Sequence, residues 1–577
     1  MQEIRSDITP GQLIPNLAVM LKQNAVRFAD RDVFFEKDEL GEYRGIKWAE
    51  FYNNILNIAA NLKSAGFQKG EKVVLFSRNC LRMLEAELAI MSSGGIAVPI
   101  FANFKKETAG LLIKHSESAY LIIAGQAQSE QLEDGLKLKR IWSFDEISHP
   151  RVSNIHAFSE LVQQRKEESF NLENETPPDT VCLNMYTSGT MGIPKCVQLT
   201  HRNILSQQAA IEKILNITVE DRFLAYLPWH HSFGGIFELF SALYNGAPFY
   251  LESSYGKDAV QIFENWKKVR PTVFFSVPKV YQALFELAME SSEAEQVFFN
   301  SGLRFVFTAA AALPEKLSNE FEKRNIPVIE GWGLTETSPC CTLTDPRLKR
   351  VPGLVGKPIP GVSIRIAEDD EIQVLGPNVM MGYFNNTEAN EQAFSSDGWY
   401  RTGDVGEITA DGLRLIARKD RIFKLSNGEK VIPTDLEKAI EYCCHYVQYV
   451  VVAGSGEEYP VALVFPNTKL LEKPDYQLSP EEGCFCPRSL DELTRCLHGC
   501  LLKANNSIGQ KFSKARFVAL IHDELSLENN TLTPSMKVAP KNVLERYKAH
   551  LKNMYGDNVP VTEEVYVIEL DNPKRQM

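Results

Sequence analysis

Short apolar runs alternate with stretches whose apolar side chains recur every three or four residues, and this alternation constrains the fold more than any other feature. "KWAEFYNNILNIAANL" sets Trp48, Phe51, Ile55, Ile58 and Leu62 on one helical face, and "KVVLFS" (72–77) follows as a buried strand. Further strand candidates are "AYLII" (119–123), "TVCLNM" (180–185), "TVFFS" (272–276) and "RFVFT" (304–308). Buried strands separated by helices predict a mixed α/β architecture with parallel pairing. After about residue 355 the texture changes. There "GVSIRIAEDDEIQVLG" holds two short apolar runs around an acidic turn, a hairpin that predicts a β-rich subdomain.

A second change comes at "RKDRIFKLSNGEKVIPTDLEKAI", where charges crowd residues 418 to 424. Thr434 with Glu437 three positions on predicts a capping box that opens a new helix. "VQYVVVAGS" and "YPVALVFPN" then read as strands of a separate small α+β unit. The expected division is 1–418 for a large N-terminal domain of mixed α/β subdomains with a β-rich subdomain, and 419–577 for a small C-terminal domain, with a hinge near Asp420.

With 577 residues the chain is too long for a single core. Its 62 basic against 74 acidic residues give a net charge of -12, which argues against nucleic acid as a partner. No stretch approaches ~20 uninterrupted apolar residues, so no membrane span is expected. The N-terminus, "MQEIRSDITPGQL", lacks the basic-then-apolar order of a secretory signal. Eleven cysteines without framework spacing suit a reducing compartment. A cytoplasmic location is expected, with peripheral membrane contact and homodimerisation left open.

The segment "YTSGTMGIPKCVQLTH" (186–201) packs four hydroxyl side chains and two glycines into its first seven residues, with Lys195 just beyond a proline. A buried strand emptying into such a turn is a common way to cradle phosphate oxygens. It is not a Walker loop: five positions after Gly189 stands Pro194, and Lys195 is followed by Cys196. The plainer alternative is a polar surface loop between a strand and a helix.

Further motifs decide between these. The segment resembles the phosphate loop of the AMP-forming adenylating enzymes, which include acyl-CoA synthetases, firefly-type luciferases and adenylation domains of peptide synthetases; Cys196 stands where glycine is usual. "EGWGLTETSP" (330–339) resembles the second signature of that superfamily, with Trp332 where tyrosine is commoner. "GWYRTGDVGEI" (398–408), "ARKDRIFKLSNGE" and "LTPSMKV" (532–538) resemble the third signature, the hinge and the C-terminal lysine motif, in the family's order.

The resemblance implies a chemistry. A carboxylate attacks the α-phosphorus of ATP, pyrophosphate leaves, and an acyl-adenylate forms, so the protein must neutralise phosphate charge and align the attack. It places Thr187, Ser188, Gly189, Thr190, Met191 and Gly192 around the β- and γ-phosphates, and Lys195 near the departing pyrophosphate. Glu336 is the implied Mg²⁺ ligand, a hard carboxylate for a hard cation; Thr335 contacts the α-phosphate. Gly331, Trp332 and Gly333 lie along the nucleotide, with Trp332 stacked on adenine. Asp404 and Arg418 hold the ribose; taken alone, "RTGD" is a turn. Lys537 bridges the carboxylate and the α-phosphate from a C-terminal domain that rotates about Asp420 to admit the thiol. Val538, Ala539 and Pro540 interrupt the basic tail that usually follows this lysine. His231 in "LPWHHSFGG" borders the acyl pocket, and "TAAAAL" (308–313) replaces a Gly-Gly-Ala run there. Taken alone, Trp332 and His231 read as core residues.

"KLSNGEKVIP" and "HDELSLENNTLTPSMKV" look like the long-chain fatty acyl-CoA synthetase branch; most other branches carry a Ser-Gly-Lys lysine motif, where this chain has Ser-Met-Lys. The implied substrates are a fatty acid, ATP and coenzyme A. "SFGGIFELFSAL" (232–243) is a tunnel lining or simply a buried helix. Two alternatives stand beside this reading: transfer of the acyl group to a carrier protein, and an inactive ligase fold that only binds. In "CFCPRSLDELTRCLHGC" (484–500), Leu493, Cys496, Leu497, Cys500 and Leu501 make an apolar helical face, which outweighs a zinc reading with His498.

Overall fold

The computed structural model describes residues 2–150, 152–164, 172, 176–187, 195–300, 302–309, 313–351, 353–444, 446–467, 487–526, 529–533, 538–555 and 565–570. They form two compact units, Met1–Thr402 with Gly406–Leu415, and Gly403–Val405 with Ile416–Met577.

In the larger unit, strand Lys72–Ser77 runs parallel to Ile96–Phe101 on one side and Tyr120–Ile123 on the other, inside an eight-stranded sheet. Its side chains divide between two cores, Val73 and Leu75 on one face and Val74 and Phe76 on the other, which is why it reads as an unbroken apolar run. Helix Trp48–Ser64 buries Trp48, Phe51, Ile55, Ile58 and Leu62 against that sheet's core, the face the spacing predicts. A nine-stranded sheet holds Phe223–Ala225, Val273–Ser276, Phe305–Thr308 and Val328–Trp332 side by side and parallel. These four strands end on one edge, the edge at which open α/β sheets receive ligands. The expected hairpin forms from Ser363–Ile366 and Glu371–Leu375, in a five-stranded sheet that the N-terminal strand Gln2–Arg5 completes.

The smaller unit is a four-stranded sheet, Val447–Ala453, Val461–Pro466, Phe517–Ile521 and Val565–Glu569, with helices on both faces. Leu436 and Ile440 of helix Pro433–Cys443 and Leu493, Leu497 and Leu501 of helix Leu490–Ser507 fill one core. Cys500 packs against that core, and Cys496 of the same helix is buried. Cys484 and Cys486 lie outside the described residues, among which no group of three His, Cys, Asp or Glu side chains is placed to hold a metal.

The capping box expected at Thr434 and Glu437 does not form. The helix begins two residues earlier than that box requires, at Pro433, whose fixed φ and missing N–H suit a first helical position. Glu437 instead pairs with Arg421 and accepts a hydrogen bond from the Val452 N–H at 2.9 Å. Among the described residues no helix is long and apolar enough to cross a membrane.

Candidate active site

The hydroxyl-rich segment does not lead into a helix. Strand Val181–Thr187 enters it and strand Lys195–Thr200 leaves it, paired antiparallel so that Thr187 faces Lys195. The next helix, His201–Leu215, starts only after Thr200, which exchanges hydrogen bonds with Asn203: Thr200 Oγ1 accepts from the Asn203 N–H at 3.1 Å and Asn203 Oδ1 from the Thr200 N–H at 2.8 Å. Ser188, Gly189, Thr190, Met191 and Gly192 lie outside the described residues, but both ends of their segment are fixed.

Lys195, on the outgoing strand, holds its ammonium 4.8 Å from the centre of the Tyr383 ring. The short strand Gly382–Tyr383 pairs with the same strand, Tyr383 opposite Val197. The Tyr383 hydroxyl donates to Glu336 Oε1 at 2.8 Å, and lies 3.5 Å from the Tyr400 hydroxyl. The loop lysine and the carboxylate of the second signature, far apart in sequence, thus share one neighbour.

Glu336 is buried, in the single helical turn Thr335–Thr337 that follows strand Val328–Trp332. This turn is pinned by Asn378, whose Nδ2 donates to the Thr337 and Cys340 carbonyls at 3.0 and 2.9 Å, while Ser338 Oγ donates to the Asn378 carbonyl. Gly333 is demanded by packing, because a Cβ there would stand 1.8 Å from the Pro339 carbonyl oxygen. Thr335 Oγ1 lies 2.9 Å from Ser232 Oγ, which brings the segment after His231 beside the second signature. Trp332 is only 6% exposed and belongs to the apolar core.

His231 is half-buried, its Nδ1 within 3.3 Å of the Phe233 N–H. His230 packs on Phe101, and burial together with the neighbouring His231 lowers its pKa to about 3, so it is neutral at pH 7. The run "SFGGIFELFSAL" is buried helix throughout: a π-helical turn, Phe233–Glu238, continues as helix Leu239–Asn245. Phe233 and Phe237 pack against Phe307, near the end of strand Phe305–Thr308. Ala309 is half-buried, and Ala310 lies outside the described residues.

One feature that motif reading misses supports this edge. Arg350 and Glu330 form a buried two-pronged pair, with Nε and Nη2 donating to Oε2 and Oε1 at 2.9 and 2.8 Å and side chains 5% and 8% exposed. Arg350 also donates to the Leu313 carbonyl at 3.0 Å, tying that peptide to the strand that carries Gly331 and Trp332.

In the smaller unit Arg418 Nη1 donates to Asp404 Oδ1 at 3.0 Å, and Arg418 Nε stands 3.9 Å from Asp420 Oδ1. "RTGD" is no turn: Asp404 lies inside the continuous strand Tyr400–Thr409. Asp420 sits in the helical turn Lys419–Arg421, with Lys541 Nζ 3.9 Å from its other oxygen. Lys537 lies outside the described residues.

Comparison with known proteins gives this arrangement its class. A family model described as AMP-binding enzyme matches residues 21–384, and one described as AMP-binding enzyme C-terminal domain matches residues 420–558. Fatty acyl-CoA synthetase A of Dictyostelium discoideum is 25% identical over 90% of this chain and 86% of its own length. Long chain acyl-CoA synthetase 2 of Arabidopsis thaliana is 26% identical over 90% and 88%. Among solved structures, the anthranilate CoA ligase AuaEII in complex with anthranoyl-AMP superposes with a TM-score of 0.75 at 21% identity, over 94% of this chain and 99% of that one. The o-succinylbenzoate coenzyme A synthetase of Bacillus subtilis in complex with ATP and magnesium ion gives 0.69 at 22%, over 91% and 98%. The class is that of the AMP-forming acid–thiol ligases. The chain belongs to the AMP-binding enzyme family.

Proposed function

We propose that this enzyme is a long-chain fatty acid–CoA ligase, which activates a fatty acid with ATP to an acyl-adenylate and pyrophosphate and then forms the CoA thioester. The observation that carries the adenylation step is the gathering of Lys195 and Glu336 around Tyr383 at the mouth of the hydroxyl-rich segment. An ammonium and a carboxylate held there suit a polyphosphate and its counter-cation. The long-chain choice is supported by curated relatives aligned along nine-tenths of the chain.

In this reading Thr187 through Gly192 and Lys195 bind the departing phosphates, Thr335 the α-phosphate, and Asp404 with Arg418 the ribose. Glu336 fits a Mg²⁺ ligand, since its carboxylate is buried and Tyr383 engages one of its two oxygens. Bound there, the ion would neutralise charge on the phosphate oxygens. Trp332 and the glycines beside it border the base, and His231 with the Phe233 and Phe237 rings borders the acid. Lys537 stabilises the charge that develops as the carboxylate attacks, and the Lys419–Arg421 turn is the hinge.

The test is a panel of fatty acids from short to long, offered with ATP and CoA while AMP and acyl-CoA are followed. Peak turnover on long chains with stoichiometric acyl-CoA is expected. AMP release that needs a carrier protein instead of CoA would move the acceptor, and absence of pyrophosphate exchange with every acid would end the ligase reading. Lys537→Ala should abolish exchange yet still convert a preformed acyl-adenylate to thioester.

A further inference from the structure

Lys195 and Glu336 carry opposite charges, yet they are not paired with each other. Each touches a different part of one side chain, the ammonium over the Tyr383 ring at 4.8 Å and the carboxylate at its hydroxyl, 2.8 Å away. That side chain is itself firmly placed. Tyr383 is 4% exposed, its strand is paired with Lys195–Thr200, and its peptide exchanges two hydrogen bonds with Asn390, at 2.7 and 2.9 Å.

An ammonium and a carboxylate that could reach each other in a partly buried site would close into an ion pair, and each would then be spent on the other. A ring face attracts a cation without neutralising it, so the Lys195 donors stay available for phosphate oxygens. A phenol donates a single hydrogen, so it orients Glu336 through one oxygen and leaves the second for a cation.

Resting on the adenylation reading, we infer that Tyr383 is a positioning residue that keeps Lys195 and Glu336 apart and aimed, so that both meet the nucleotide and its counter-ion ready-made. The experiment measures ATP binding by titration calorimetry, with and without Mg²⁺, on the full chain. Tyr383→Phe retains the ring, and ATP alone should bind within about twofold of wild type. The Mg²⁺ needed for half of its effect on ATP affinity should rise severalfold, because Glu336 loses its orienting donor. Tyr383→Leu removes the spacer and should weaken ATP binding about tenfold or more, since Lys195 is captured by Glu336. Adding Glu336→Gln to Tyr383→Leu should restore much of the affinity for ATP alone, a recovery that general damage to the fold would not allow. Wild-type ATP affinity in Tyr383→Leu, or no recovery in the double variant, overturns the assignment. Should Tyr383→Leu fail to fold, an unchanged Mg²⁺ response in Tyr383→Phe overturns it equally. A wild-type protein that binds no ATP would instead refute the adenylation reading.

Discussion

Arg350→Met offers the sharpest physical test of how this edge of the sheet is held. The substitution keeps an unbranched apolar stem while removing all three of the side chain's hydrogen bonds, two to Glu330 and one to the Leu313 carbonyl. Both side chains of the pair are more than nine-tenths buried, so solvent cannot replace the lost partner. Breaking a buried pair from one side costs about 3–5 kcal/mol, because the remaining carboxylate keeps its desolvation penalty. The larger unit has roughly 400 residues, and at ~2.1 cal/mol/K per residue its unfolding entropy is about 0.9 kcal/mol/K. Its melting midpoint should therefore fall by about 3–6 °C, read by scanning calorimetry at a fixed scan rate and pH 7. Combining Arg350→Met with Glu330→Gln removes the stranded charge and should regain at least half of that loss. A fall below about 1 °C, or a double variant no better than the single one, would show that the pair is not the restraint described here.

Two other outcomes are expected. Gly333→Ala should weaken ATP binding at least about tenfold, because the new methyl meets the Pro339 carbonyl and the Cys340 Cα, all backbone atoms that cannot step aside; nucleotide titration reads this, and near-normal affinity would contradict the packing. Glu87, buried in helix Leu81–Ser92 with its Oε2 unpartnered, has its pKa raised by burial from 4.5 to about 8. The folded chain then holds a proton that the unfolded chain releases, so this group's stabilising contribution is whole below pH 4.5 and drains away as pH rises through 8. Glu87→Gln should raise the melting midpoint at about pH 9 and leave it unchanged near pH 4, and equal shifts at both would refute the assignment.

The parallel strands were legible because burial on both faces leaves an unbroken apolar run, and the Trp48–Ser64 face because its spacing is that of a helix. Lys195 and Glu336 could be found through their motifs. Tyr383 could not, since nothing in "MGYF" marks a tyrosine whose value lies in contacts made by two distant segments. Arg350 was hidden in "DPRLKRVPG", a stretch that reads as solvated charge; in the fold it pairs with Glu330, midway along strand Val328–Trp332, and with the Leu313 carbonyl. Thr434 misled in the opposite direction, because Pro433 claims the helix start and Arg421 claims Glu437. The hydroxyl-rich segment offered no hint that a strand follows it, for "KCVQLT" is too short to declare its period.

That strand changes what the segment must do by itself. A phosphate loop at the head of a helix borrows attraction from aligned peptide dipoles, whereas here, among the described residues, the next helix starts only at His201. At the described ends of the segment, a phosphate would meet the Thr187 hydroxyl and the Lys195 ammonium. Because Thr187 and Lys195 are adjacent across two paired strands, the bridging residues close a short span at little entropic expense. Their chemistry can drift under selection for a different leaving group or nucleotide while the sheet beneath stays intact, so recognition and folding are free to evolve on separate accounts.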